Sequence, residues 1–438
     1  MAALLAVAAP GSARGAIRNP EGGPAAGQNA GGRSILDAIA RRATDAVRTY
    51  SGEGHHRTAT AVDRTSADAL LARARATGAT ASLEPFDLSR VDPVAAFAQI
   101  PSQRIEGLPM FDGAFTSADG VSGALGPIDS DRPIAWTRIA PNGEAALRRM
   151  RQGSRHAAIV AVTMGGKPGL CPVNAGWFSE PFGPPVLQVS SEHLAAFENA
   201  SSSGVEARIV AHASRQRAQA FNVVTEILGA DPTLPPVCVM TPRSGWHANA
   251  SERGGGLVCW LETMRAIAAR GPAEAGRHVR GEEAGRQVRR GGDRGLLRTV
   301  KFIASSGHEL GHLGLHDYLV RNPKLAHDAY VWVHFGANIG TSTGDIGMTP
   351  SDDRLREAAI RALAPHGFGA IRQSQASQVG GEAATIKEKD GRFISFIGRN
   401  DWFHNPRDLF PAAVDIPAIA RFARAVSDLT VQRANTTA

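Results

Sequence analysis

The sequence predicts an α/β protein with a mostly parallel central sheet flanked by helices, and a small β-rich unit inserted ahead of most of that sheet. Three observations carry this. From Phe221 onward, strand-like and helix-like segments alternate, the pattern of parallel strands joined by covering helices. Between about Glu106 and Ala213 the chain is instead a series of short, glycine-rich β segments. The 438 residues, 43% of them hydrophobic, supply enough apolar surface for two compact units.

Composition narrows the function classes. The formal charge of +7 comes mainly from arginine, and the abundance of alanine, glycine and arginine looks like the coding bias of a GC-rich bacterial genome. Aromatic residues make up only 6%, and outside one segment the arginines do not cluster, so a nucleic-acid groove with stacking platforms is not expected. Cys171, Cys238 and Cys259 are far apart and lack metal spacing, and are read as buried small apolar residues. The first sixteen residues have a short apolar core and small residues at a cleavage-like point, but no positive start. They fit a truncated signal peptide of a secreted or periplasmic protein; the alternative is a cytoplasmic location. No later run is long enough to cross a bilayer, so a soluble protein without a membrane partner is expected.

Taken in order, residues 1–33 read as a disordered arm or signal remnant. The N-terminal part of the main domain is expected over 34–105. Ser34 to Tyr50 carries Leu36, Ile39, Ala43 and Val47 at helical spacing, Ser66 to Ala76 repeats the pattern, and a strand follows from Ala79 to Phe86. Pro85, Pro93 and Pro101 then predict an irregular passage. The insert, 106–213, holds strands at Pro133–Ala140, Ala157–Val162 and Pro185–Ser190 and a helix at Gly143–Gln152. The main domain resumes over 214–438. Strands are expected at Phe221–Leu228, Val237–Thr241, 299–305, Ala329–Phe335 and Arg392–Ile397, and helices at Gly255–Ala269, 310–320, Asp352–Leu363 and Ile416–Val431. The arginine- and glycine-rich stretch 270–295 is too long for an ordinary helix-to-strand loop and reads as a solvated insertion, with a cationic flap as the functional alternative.

Chemistry gathers where the strand Val300–Ala304 meets the turn Ser305-Ser306-Gly307, because His308, Glu309, His312 and His316 follow at once. In an open α/β sheet the carboxyl end of a strand is where ligands bind. His308-Glu309-Leu310-Gly311-His312 satisfies H-E-x-x-H, the zincin pattern in which two histidines bind zinc and the glutamate activates water. That pattern needs a helix, whereas strand and turn residues stand immediately upstream. His312 and His316 are therefore read as surface residues of the following helix.

The segment R-T-V-K-F-I-A-S-S-G-H-E-L-G-H-L-G resembles the strand and turn of the zinc-aminopeptidase-type metallopeptidases, the family of bacterial leucyl aminopeptidases, glutamate carboxypeptidase and glutaminyl cyclase. N-V-V-T-E-I-L-G-A-D-P at 222–232 is similar to the family's entry strand, W-F-H-N-P-R-D at 402–408 to its Y-H-T-P-x-D segment, and the insert to a protease-associated domain. The resemblance implies a site assignment. His308 stands where the family has its glutamate base, and Glu309 where it has a metal-binding glutamate. The shared metal carboxylate falls on Glu252 and the last histidine on His404. Thr241, Arg243 and Ala337 fall on positions that are a histidine, an aspartate and an aspartate in the family. Thr241 and Ala337 stand at ligand positions, and the resemblance assigns both to one metal.

The resemblance therefore implies a single divalent metal, zinc with manganese or iron as alternatives, on Glu252, Glu309 and His404. His308 would take the proton, since an imidazole titrates near neutrality. Arg243 would bind a substrate carboxylate, or else form a structural ion pair, and His247 would line the pocket. The expected reaction is hydrolysis of an amide or peptide-type bond in a small-molecule or peptide substrate that can bear a carboxylate. The alternatives are an inactive pseudo-peptidase serving as a binding module, an H-E-x-x-H zincin using His308 and His312, or a metal-dependent lyase or isomerase. Oligomeric state does not follow from the sequence.

Overall fold

The computed structural model describes residues 30–270 and 295–437. Most of the expected arm and of the arginine-rich insertion therefore lies outside the described residues, although Ala30 to Arg33 already belong to the first helix rather than to an arm.

The chain runs α1 (Ala30–Gly52), α2 (Ala61–Arg75), β1 (Ala81–Ile100), β2 (Gln103–Pro109), β3 (Val121–Pro127), β4 (Ile134–Ile139), α3 (Glu144–Arg151), β5 (Ala158–Thr163), β6 (Val186–Ser190), α4 (Leu194–Ser202) and β7 (Glu206–Ile227). It continues with β8 (Val237–Pro242), α5 (Gly254–Ala268), β9 (Val300–Ser305), α6 (Leu313–Arg321), α7 (Leu325–Asp328), β10 (Val331–Phe335), β11 (Ile346–Pro350), α8 (Asp353–Leu363), β12 (Arg372–Gln373), α9 (Glu382–Lys387), β13 (Phe393–Gly398) and α10 (Ile416–Ala434). α2 starts five residues before the predicted Ser66, because Thr60 caps it by accepting from the Asp63 amide.

The main sheet has the order β1-β7-β9-β8-β10-β13-β11-β12. Its four central strands, β9, β8, β10 and β13, are parallel. Period-two alternation gives each of them two apolar faces. Val237, Val239, Phe302, Val333 and Phe396 pack under α1, α2, α5, α8 and α10, while Cys238, Met240, Ile303 and Trp332 face α6 and α9. The predicted α/β class is what the chain adopts. All three cysteines are free and buried, and no helix among the described residues is long and apolar enough to cross a membrane.

The prolines did not break β1 as expected. Pro85 and Pro93 are absorbed into a ribbon in which β1 pairs with β7 from Ala81↔Thr225 to Gln99↔Arg208, with a register shift between Pro93 and Ala95. The far ends of that ribbon close a seven-stranded ring with β2, β6, β5, β4 and β3. Ile105, Leu125, Ile134, Val160, Val162, Leu187 and Val189 fill one face of this ring, and Leu147 of α3 packs with Ala135, Ile139, Ile159 and Ala161 on the other.

α5 owes its position to Gly255. A Cβ there would lie 1.8 Å from the carbonyl oxygen of Ile339, so only glycine lets the start of the helix abut the loop after β10. That contact fixes the loop 243–253, which leads from β8 into the helix.

Candidate active site at the strand ends

Four segments leave the carboxyl ends of the parallel strands and converge: 243–253 after β8, 306–312 after β9, 336–340 after β10 and 399–415 after β13. α9 adds Glu382 at its first residue. The turn after β9 takes its shape from three left-handed residues, Gly307 (φ 86°), Gly311 (φ 77°) and His312 (φ 61°). His308 to Leu310 form a single 3-10 turn rather than part of a helix. The two imidazoles of the H-E-x-x-H letters nonetheless converge, with ring centroids 5.3 Å apart.

Nδ1 of His312 lies 3.2 Å from the Thr385 hydroxyl, whereas His308 is paired with Glu382. Oε1 of Glu382 lies 2.8 Å from Nδ1 of His308 and its Oε2 3.2 Å from Nε2 of His334, whose Nδ1 is 2.9 Å from the Ser395 hydroxyl. His308, His312 and Glu382 bring one ligand atom each to within 4.8 Å of one another, and they are the one such triplet among the described residues. Burial opposes ionisation of Glu382, but the neighbouring His308 and His312 and the hydrogen bonds from His308 and His334 outweigh it and hold its carboxyl well below the usual range. Burial pushes His312 down to about 4, against the pull of Glu382, so its imidazole is neutral and available as a donor. His312 is half-buried here rather than a surface residue, whereas His316 is exposed as expected.

A second cluster lies beside the first. Nε2 of His404 is 3.4 Å from Oε1 of Glu252, and both residues are almost fully buried. Nδ1 of His404 donates to the carbonyl of Pro172 at 2.5 Å, so Nε2 is the nitrogen turned to the carboxylate. Arg253 places Nη2 2.8 Å from the same Glu252 oxygen. Burial opposes the charge on Glu252, but Arg253, His404 and His308 hold its carboxyl far below its ordinary value.

The structure sorts the expected site residues. Glu252 and His404 meet. Glu309, expected beside them as a ligand, instead directs Oε1 to the amide and hydroxyl of Thr58, both at 2.7 Å, and Oε2 to the Ser244 hydroxyl at 2.7 Å. It braces the turn after β9 against the loop between α1 and α2. Arg243 takes the structural alternative. Its buried guanidinium pairs with Asp63 at 2.8 Å and donates to the carbonyls of Asp63 and Phe221, so it is turned away from the cleft. His247 is buried, with Nε2 3.2 Å from the Leu170 carbonyl, and burial pushes it down to about 4. Thr241 bonds the Phe335 carbonyl, and Ala337 contributes no donor.

The insert packs against the site. Residues 167–176 meet it through Pro172 at His404, Leu170 at His247, Ala175 at the Glu309 carbonyl, Asn174 at the Trp246 indole, and the carbonyls of Lys167 and Pro168 at Asn405. Sequence reasoning missed this packing and missed Glu382. Only the H-E-x-x-H spacing pointed toward the triplet.

No protein-family model and no curated protein sequence matches the chain. Solved structures do resemble it. A zinc aminopeptidase from Bacillus subtilis superposes with a TM-score of 0.67 at 16% identity, over 90% of this chain and 94% of that one. An aminopeptidase from Aneurinibacillus gives 0.67 at 13% identity, over 92% and 95%. A peptidase M28 precursor from Shewanella amazonensis gives 0.67 at 14% identity, over 93% and 97%. The fold is that of the zinc-aminopeptidase type, as the resemblance implied.

Proposed function

We propose that this chain is a metal-dependent hydrolase of a peptide-type bond in a small-molecule or peptide substrate, with one divalent metal, zinc in the first instance, held by His308, His312 and Glu382. The observation that carries this reading is the convergence of those three side chains within 4.8 Å. Two imidazoles and a carboxylate make a ligand set that suits zinc and leaves a coordination position open. His334 supports it from outside by fixing the second oxygen of Glu382. The metallopeptidase activity named for the structures of the same fold agrees with it.

In this reading His308 is a ligand rather than the proton acceptor expected from its position. A bound metal would polarise the scissile carbonyl and lower the pKa of a water molecule. Proton transfer then falls to the Glu252–His404 couple. With Nδ1 committed to Pro172, His404 exchanges a proton only through Nε2, facing Glu252. Glu309 does not face the triplet, so the zincin assignment of that glutamate as base is not part of the proposal.

Elemental analysis of the purified protein tests it. One equivalent of metal is expected, lost in Glu382→Ala and His312→Ala, together with hydrolysis of aminoacyl amides or N-acyl amino acids that fails in the same variants. Metal-free wild-type protein purified without chelator would sink this reading.

A further inference from the structure

The residue next to Glu252 changes what the Glu252–His404 pair can hold. Arg253 is fully buried, and its Nε donates to the Ser244 carbonyl at 2.8 Å. Apart from the close approach of Nη2 to Glu252, neither Nη1 nor Nη2 finds an acceptor. Both Glu252 oxygens and Nε2 of His404 also lack a directed hydrogen bond, so five buried polar atoms are gathered at one point. Such a group is stable only if its charges cancel.

A carboxylate and an imidazole facing each other in this way would suit a metal ion, and the resemblance puts one there. The fit fails on two counts. Glu309, the third ligand implied, is drawn to Thr58 and Ser244 and does not converge with Glu252 and His404 within the 4.8 Å that unites the other triplet. The counter-charge of Glu252 is already present as a guanidinium, which cannot swing away because Ser244 holds Nε and α5 begins at the next residue.

We propose that Arg253 takes the place of a metal ion at Glu252 and His404, as a built-in cation that neutralises the carboxylate and excludes a metal from that position. This extends the proposed function, on which it rests for the location of the one bound metal. A guanidinium is a fixed cation. The electrostatics of this half of the cleft are thus independent of metal supply, and the two clusters divide the work: one binds an exchangeable cation, the other owns a permanent one.

The test is zinc stoichiometry after dialysis, with folding checked by circular dichroism. Wild type is expected to bind one equivalent, lost in Glu382→Ala and kept in Glu252→Gln and His404→Ala. Arg253→Gln is expected to bind one more equivalent than wild type, which Glu252→Gln removes again. Arg253→Lys, which keeps the charge, is expected to bind no more than wild type. Loss of zinc in Glu252→Gln overturns the proposal and does not require an Arg253 variant to fold. An Arg253→Gln protein that folds and gains no zinc overturns it too. If wild type binds none but Arg253→Gln binds one equivalent, this proposal survives while the proposed function fails.

Discussion

Glu382 Oε1 lies 2.8 Å from Nδ1 of His308, although 74 positions separate the two residues in the chain. The carboxylate reaches His308 from a short helix outside the strand-end loops, and it holds His334 on its other oxygen. One side chain therefore ties the turn after β9 to β10.

Replacing Glu382 removes that tie. In chelator-treated protein, Glu382→Ala is expected to lose about 3 kcal/mol of stability, because two buried histidines lose their charged partner. Wild type should gain about 2.7 kcal/mol when zinc is present at a hundred times its dissociation constant. Thermal melts with and without zinc read both effects, and an equal zinc-induced rise in wild type and Glu382→Ala would contradict the ligand assignment.

Glu309→Gln separates bracing from ligation. A glutamine cannot accept from Thr58 and Ser244 with both of its terminal atoms, so a loss of about 1–3 kcal/mol is expected. Metal content should stay at the wild-type level. Elemental analysis alongside urea unfolding distinguishes the two roles.

Arg243→Met leaves Asp63 buried without its counter-charge. The expected loss is about 3–5 kcal/mol. Among substrates that differ only in a free or amidated carboxylate, the ratio of KM values should not change, since the guanidinium faces Asp63 and Phe221. A selective rise in KM for the free carboxylate would restore Arg243 to substrate binding.

Acid should weaken the fold through His247. Its folded value of about 4 lies below the ordinary 6.5, so between these values the unfolded chain binds the proton and the folded chain does not. The contribution is complete above pH about 6.5 and falls away as pH drops toward about 4, to a total of about 3 kcal/mol. Asp408 acts in the opposite sense: burial raises it to about 7, so its contribution is lost as pH rises from the ordinary carboxylate range to that value. The informative quantity is the difference between wild type and His247→Asn in urea unfolding from pH 7.5 to 4.5. Parallel curves would exclude His247 as a source.

Much of the main sheet was legible because apolar alternation and helical spacing are local. β8, β9, β10, β13, α5, α8 and α10 fall within a few residues of their predicted bounds. The ribbon of β1 and β7 was not legible, because Pro85 and Pro93 signal a break and only pairing with a distant strand overrides it. In the site, Glu252 and His404 were found through resemblance and do meet. Glu309 was found by the same route, yet Thr58, 251 positions away in the chain, captures it. Glu382 sits in a G-G-E-A-A run without any spacing rule that would single it out.

Pro172 belongs to the insert, and its carbonyl fixes which nitrogen of His404 carries the proton. Moving the insert off the site would take away that acceptor along with the neighbouring contacts at His247 and Asn405. The packing of the insert and the tautomer of the imidazole therefore hang on the same carbonyl.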